Sequence, residues 1–332
     1  MSRAKSDIPR CVLVTGSRGK SSIVRFLHAA LCDAGLQTYA RITGVQPRQL
    51  GPQKTRSISR SSGAHVGEMR WWLGSLPDTV QAIVLENSAI TPDLQGLAGQ
   101  WLRPHLTILA NVLPDHQEAW GPTCAGAARV LTAGIPRENP VVLPVDLQSD
   151  HYLLKLLEQR QCVVTFANPL SVTDAGFQAI NMGLALAALE LLGFATAPAL
   201  QSMRNLHADK YDFKVIEYEG AELAMAFSVN DISSKRALFR SLSGPEEETR
   251  LIYNHRKDRP GRFGSFLDWL NNSRWREVLV IGDKPSMRHC CGRYLRMKDA
   301  DELSRLFRPG DRVFGCGNIA GIPMALAENV DP

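Results

Sequence analysis

The sequence predicts a two-domain α/β protein from its length, from short apolar runs that alternate with helical stretches, and from a polar, turn-like junction near residue 209. A chain of 332 residues exceeds the usual single-domain size, and 44% hydrophobic with 21% charged residues is an ordinary globular balance. Residues 11–15 are an apolar run ending in a glycine turn, and residues 21–34 have helical spacing stopped by Gly35. Residues 80–85 lead into Glu86, and residues 106–110 lead into Asn111 and Asp115-His116. Residues 141–143 and 162–166 continue the alternation, the pattern of a parallel sheet with helices on both faces. Residues 44–63, rich in Arg, Gln, Ser and Gly, read as a long surface loop. Residues 179–200 are apolar but contain Glu190, so they read as one buried helix rather than a membrane span.

Residues 205–213 form the polar junction, read as a hinge. Beyond it, residues 215–218 and 223–227 flank Glu219-Gly220 as a hairpin; residues 251–253, 277–281 and 312–314 are later strands, with helices starting near Ser234, Arg262, Ala300 and Ile322.

A formal charge of +5 with scattered Lys and Arg favours small anionic substrates and gives no basic stripe for nucleic acid. Seven cysteines without a C-x-x-C pair suit a reducing compartment and structural, buried thiols; Cys290-Cys291 lack the second ligand pair of a zinc site. The polar residues 1–10 offer no secretory segment, so a cytoplasmic protein is expected.

The chemistry is concentrated in Thr15-Gly16-Ser17-Arg18-Gly19-Lys20-Ser21-Ser22, where a strand gives way to a helix. Glycines let backbone N–H groups wrap a phosphate, Lys20 reaches the terminal phosphates, and Ser21 can ligate Mg²⁺. The loop is shorter than the common G-x-x-x-x-G-K-[ST], because Val14 stands where a glycine would be. Glu86, at the end of a neighbouring strand, is the candidate acid for the metal, and His116 the candidate ligand of a second ion. The expected architecture is therefore a P-loop parallel-sheet ATPase domain over residues 1–208 and a smaller Rossmann-like α/β domain over residues 209–332. Arg41, Arg48 and Arg70 are candidate clamps for substrate carboxylates, since guanidinium presents a bidentate fork to such groups.

The loop, Glu86 and Asn111-Val112-Leu113-Pro114-Asp115-His116 resemble the ATPase core of the Mur and folylpolyglutamate ligases. A fuller resemblance, to the poly-γ-glutamate synthase ligase subunit (CapB/PgsB family), adds Val66-Gly67-Glu68, Asn230-Asp231, residues 254–259 and residues 315–321 in order. It implies ATP-dependent, ADP-forming amide ligation, with a carboxylate activated as an acyl phosphate and joined to an amino acid, glutamate or a glutamyl chain foremost. It also implies one or two Mg²⁺ ions, replaceable by Mn²⁺, and nucleotide contacts from Asn181, Lys214, Asp231, His255, Lys257 and Asp258. Two features of Mur ligases are missing: residues 117–147 hold no Lys for carbamylation, and the phosphate loop starts too early for a preceding nucleotide-sugar domain. No anchoring segment precedes it either, so membrane attachment is expected through a partner protein; a homo-oligomer is compatible. Other readings stay open: a ligase for another metabolite or polymer, and a P-loop phosphotransferase or nucleotide switch.

Overall fold

The computed structural model describes residues 10–330 apart from 45, 61–64, 171–175, 208, 230, 231, 259, 287 and 289. The chain divides into two compact units, Met1–Leu206 and His207–Pro332.

In the first unit, β1 (Arg10–Thr15), β2 (Thr38–Ile42), β3 (Arg48–Leu50), β4 (Thr55–Ser57), β5 (Ala82–Glu86), β6 (Leu106–Leu109), β7 (Val141–Pro144) and β8 (Val164–Ala167) form one sheet, ordered β4-β3-β2-β5-β1-β6-β7-β8. The strands from β2 to β8 run parallel, and β3 and β4 extend the edge in antiparallel fashion. Because successive strand side chains point to opposite faces, Val12 and Val14 of β1 join the core under α1 (Lys20–Asp33), α7 (Phe177–Leu191) and α8 (Thr196–Arg204). Cys11 and Leu13 instead face α2 (Gly67–Ser75) and α3 (Pro92–Leu102). A third cluster packs α5 (Cys124–Ala133) and α6 (His151–Gln159) beside α4 (Gln117–Trp120) against β7. Each fully buried Leu or Val in these layers contributes roughly 1.5–3 kcal/mol relative to exposure.

The second unit is a sheet ordered β13-β12-β11-β14-β10-β9, from β9 (Val215–Tyr218), β10 (Ala221–Met225), β11 (Thr249–His255), β12 (Glu277–Gly282), β13 (Arg293–Tyr294) and β14 (Arg312–Gly317). β9 pairs with β10 in antiparallel fashion, and the other pairings are parallel among the described residues. The helices are α9 (Ile232–Ser241), α10 (Pro260–Asn272), α11 (Ala300–Ser304) and α12 (Ile322–Val330). Glu219 and Gly220, at φ 52° and 74°, make the two-residue turn of the expected hairpin.

Three expectations change. Residues 44–63 are not all loop, since three-residue strands β3 and β4 pair there; strands so short carry no readable period. The apolar run 179–200 is two helices, because Gly193 at φ 82° ends the first with a left-handed residue. The thiols are not all buried: Cys124 and Cys291 are exposed, whereas burial pushes the Cys316 thiol up to about 11. Among the described residues no helix is long and apolar enough to cross a membrane.

Candidate active site

Parallel pairing brings the phosphate loop and the acid together at the carboxyl ends of the strands. Val14 lies opposite Glu86 and Thr15 opposite Leu109, so the turn at Gly16 opens between the ends of β5 and β6. Gly16 has φ 132°, and a Cβ there would stand 3.0 Å from the Cβ of Ala110. Gly19 has φ 78°, and a Cβ there would stand 2.6 Å from Asn181 Oδ1. Any larger side chain at either position would deform the loop. Buried Asn181 thus packs directly on the phosphate loop, which is where the structure puts this expected nucleotide contact.

The loop is held from the β6 side by Asn111. Its Oδ1 accepts from Arg18 N at 3.2 Å, its Nδ2 donates to Arg18 O at 3.1 Å, and the Ser17 hydroxyl donates to Leu113 O at 2.5 Å. Lys20 and Ser21 then begin α1, with Ser22 half-buried in the first turn. Lys20 Nζ donates to Gly16 O at 2.6 Å and to Ser17 O at 3.3 Å. Burial pushes its pKa down, and the charges of Glu86 and Asp115 oppose that shift.

Glu86 is buried and accepts three hydrogen bonds. Ser21 Oγ and Thr43 N donate to Oε2, each at 3.0 Å, and Thr43 Oγ1 donates to Oε1 at 3.0 Å. A buried carboxylate beside a serine hydroxyl supplies hard oxygen donors, which fits a divalent cation of the Mg²⁺ or Mn²⁺ kind. His116 takes a left-handed φ of 44°, stacks its ring edge-on to Trp120 at 5.1 Å, and lies 3.9 Å from Asp115 Oδ2. Among the described residues no group of three or more His, Cys, Asp or Glu is gathered to share one ion, so Glu86 and His116 do not belong to one such cluster.

The arginines diverge. Arg41 is fully buried on β2 and is not an open clamp: its Nη2 donates to Glu68 Oε1 at 2.5 Å. Arg60 completes a fork on the same carboxylate, Nε to Oε2 at 2.7 Å and Nη2 to Oε1 at 3.1 Å. Burial raises the Glu68 pKa, but Arg60 and Arg41 outweigh it and hold the group below the usual carboxylate range. Arg41 Nη1 reaches Ser88 Oγ at 3.5 Å, and its buried Nε–H has no acceptor among the described residues, a condition that costs roughly 1–3 kcal/mol. Arg48 lies half-buried on β3, and Arg70 is exposed on α2.

In the second unit, His255 ends β11 with its Nδ1 buried and, among the described residues, unpartnered, and its ring packs on Phe263 at 5.2 Å. Exposed Lys257 donates its backbone N–H to Asp283 Oδ2 at 2.9 Å, and exposed Asp258 pairs with Arg256 at 2.5 Å. Lys214 is half-buried before β9, its carbonyl accepting from Met225 N at 2.8 Å. Asp231 lies outside the described residues. Asn254 Nδ2 donates to Asn318 O at 2.6 Å and to Ala320 O at 2.9 Å, tying residues 318–320 to the end of β11. Lys235, which sequence reasoning passed over, is fully buried and donates to Gly317 O at 3.1 Å.

Burial pushes the His255 pKa below its ordinary 6.5, with Asp283 and Asp258 opposing. As pH falls below that ordinary value the unfolded chain takes up the proton first, so stability is present above it and is lost as pH falls through the folded value. The melting temperature is therefore expected to fall between about pH 7.5 and about pH 5.5, and to fall less in His255→Phe. Calorimetric scans in which the two proteins lose equal stability would show that His255 is not the group responsible.

A phosphate loop with its lysine, a buried strand-end carboxylate and a serine hydroxyl on one sheet edge define a P-loop nucleotide enzyme. The Mur ligase middle domain model matches residues 14–181, and a model described as the poly-gamma-glutamate synthase CapB C-terminal domain matches residues 211–332. The chain belongs to the Mur ligase family and is an ATP-dependent, amide-bond-forming ligase. The PGA synthase CapB of Bacillus subtilis is 27% identical, the alignment covering 97% of this chain and 90% of that protein. Among solved structures, MurF from Acinetobacter baumannii superposes with a TM-score of 0.70 at 12% identity, covering 98% of this chain and 77% of that one. The bifunctional folylpolyglutamate synthase/dihydrofolate synthase from Yersinia pestis, in complex with AMPPNP and Mn ion, superposes with a TM-score of 0.69 at 14% identity, covering 98% and 91%.

Proposed function

We propose that this ligase adds glutamate to a γ-linked glutamyl chain with release of ADP and phosphate. The observation that carries the reading is the junction of Lys20, Ser21 and Glu86 at one strand-end edge, in a chain whose second unit matches a poly-γ-glutamate synthase domain. An oxygen of the substrate carboxylate attacks the γ-phosphorus of ATP, the bond to the β–γ bridging oxygen breaks, and ADP leaves. The incoming amine nitrogen then attacks the acyl carbon, phosphate departs, and the nitrogen loses its proton to solvent. Lys20 and the loop N–H groups of residues 16–22 offset the charge that develops on the transferred group. Ser21 and Glu86 would hold Mg²⁺, with His116 toward a second ion, and the metal would supply further neutralisation of phosphate charge; Mn²⁺ should substitute. Asn181, Lys214, Asp231, His255, Lys257 and Asp258 are assigned to the nucleotide, and Arg48 and Arg70 to the polymer. The reaction belongs on the cytoplasmic side, with a membrane protein as the partner that carries the product.

The test is ADP release with ATP, Mg²⁺ and short γ-glutamyl oligomers, followed together with product mass. ADP is expected to appear in step with a product longer by one glutamyl residue, and negligibly without acceptor. A phosphorylated product, or hydrolysis indifferent to the acceptor, would sink the reading in favour of a phosphotransferase or a nucleotide switch.

A further inference from the structure

The Arg41–Glu68–Arg60 network has more donors than acceptors. Two guanidinium groups share the Glu68 carboxylate in a largely buried place, and the nearby charge of Glu86 also acts on Arg41. Arg41, fully enclosed, keeps an Nε–H with no acceptor among the described residues. The network sits beside the reaction centre. Arg41 is paired opposite Leu85, the residue before Glu86, and its Nη1 reaches Ser88, two residues past Glu86. Two residues along from Arg41, Thr43 binds both oxygens of Glu86. Arg60 is the accessible member, with 23% of its side chain exposed, so a ligand arriving from solvent meets Arg60 while Arg41 stays enclosed behind Glu68.

We propose that Arg60 binds the non-reacting α-carboxylate of the glutamyl substrate, with Glu68 as the resident carboxylate that holds its guanidinium in place and the fully buried Arg41 anchoring Glu68 from behind. Chemistry selects the α-carboxylate. In a γ-linked chain each residue keeps its α-carboxylate free, and only the γ-carboxyl is activated. A carboxylate gripped by arginines is a weakened nucleophile, so the gripped group should be the one that does not attack the phosphorus. Anchoring it at Arg60, which shares Glu68 with Arg41 on the strand beside Glu86, would leave the γ-carboxyl free to reach the phosphate loop. The inference rests on the glutamyl reading proposed above.

The test is direct binding, which does not depend on turnover. The full chain, loaded with an unreactive ATP analogue and Mg²⁺, is titrated by calorimetry with racemic N-acetylglutamate and with 4-acetamidobutyrate, which lacks the α-carboxylate. The wild type is expected to prefer N-acetylglutamate by about tenfold or more, the size of one charge-assisted hydrogen bond. Arg60→Gln should erase the preference; Arg60→Lys, which keeps charge but loses the fork, should keep part of it. Glu68→Gln should keep or enlarge it, because two cations lose their resident anion. No preference in the wild type, a full preference in Arg60→Gln, or a preference lost as completely in Glu68→Gln as in Arg60→Gln would each overturn the site, the last by showing a purely structural network. A preference that follows this pattern in a protein forming no amide would leave the carboxylate site standing and remove the ligase reading instead.

Discussion

Lys20→Ala is expected to lower ATP turnover by about 100- to 1000-fold, because removing one donor aimed at developing charge typically costs about 2.7–4 kcal/mol in the barrier. Lys20 Nζ is bound to the Gly16 and Ser17 carbonyls inside the phosphate loop, and the charges of Glu86 and Asp115 oppose the desolvation that pulls its pKa down. The same two carboxylates explain why the loss should be local. Without the ammonium, Glu86 keeps its three hydrogen bonds from Ser21 and Thr43, so the strand end retains its shape. Lys20→Arg should rescue little, since the planar guanidinium cannot enter a turn whose two carbonyls already close on the ammonium. Steady-state ADP release, with circular dichroism to confirm folding, is the measurement. A folded Lys20→Ala protein that turns over ATP at the wild-type rate would exclude this loop from the reaction.

What could be read in advance followed from how local its cause was. The strand–loop–helix unit around Lys20 was legible because glycines, a lysine and a helix start are neighbours in the chain, and Glu86 because an apolar run ends on it. Asn111 was visible as a residue after a strand, but nothing in its spacing says that its amide clasps Arg18, because that contact closes over a sequence separation of 93. Thr43 was hidden for the same reason, and β2 with it: the Thr and Arg in Thr38–Ile42 spoil an apolar run, although the fold buries both completely. Arg41 shows the limit most clearly. The sequence suggests a clamp for a substrate carboxylate, whereas the carboxylate it holds is the protein's own Glu68, brought to it by a helix whose place on the sheet no pattern within β2 could announce. The short β3 and β4 were lost among polar residues, yet they carry Gln49, whose Oε1 accepts from Trp72 Nε1 at 2.8 Å and pins α2 beside that ion pair.

Glu86→Gln is the substitution expected to separate metal binding from folding. Its geometry permits a near-isosteric exchange: the new amide can keep its oxygen toward Ser21 Oγ and Thr43 N, and turn its NH₂ toward Thr43 Oγ1, whose hydroxyl can rotate to accept. The structural loss should therefore be about 1 kcal/mol, that of one ordinary hydrogen bond, and the melting temperature should fall by a few degrees at most. The electrostatic loss is larger. A neutral amide no longer offsets the charge of a divalent cation or that of Lys20, and the Mg²⁺ concentration giving half-maximal turnover should rise by about 10- to 100-fold. His116→Ala should raise it less, since a neutral imidazole contributes no charge and the ring sits against Trp120 rather than in the Ser21–Glu86 pair. Rate against Mg²⁺ concentration for the three proteins, repeated with Mn²⁺, gives the ordering. Three superimposable curves would make Glu86 a strut for Ser21 and Thr43 and move the cation elsewhere. A Glu86→Gln protein that melts far below the wild type would mean that its carboxylate holds the strand end together by charge, and that the loss of activity reports folding rather than metal.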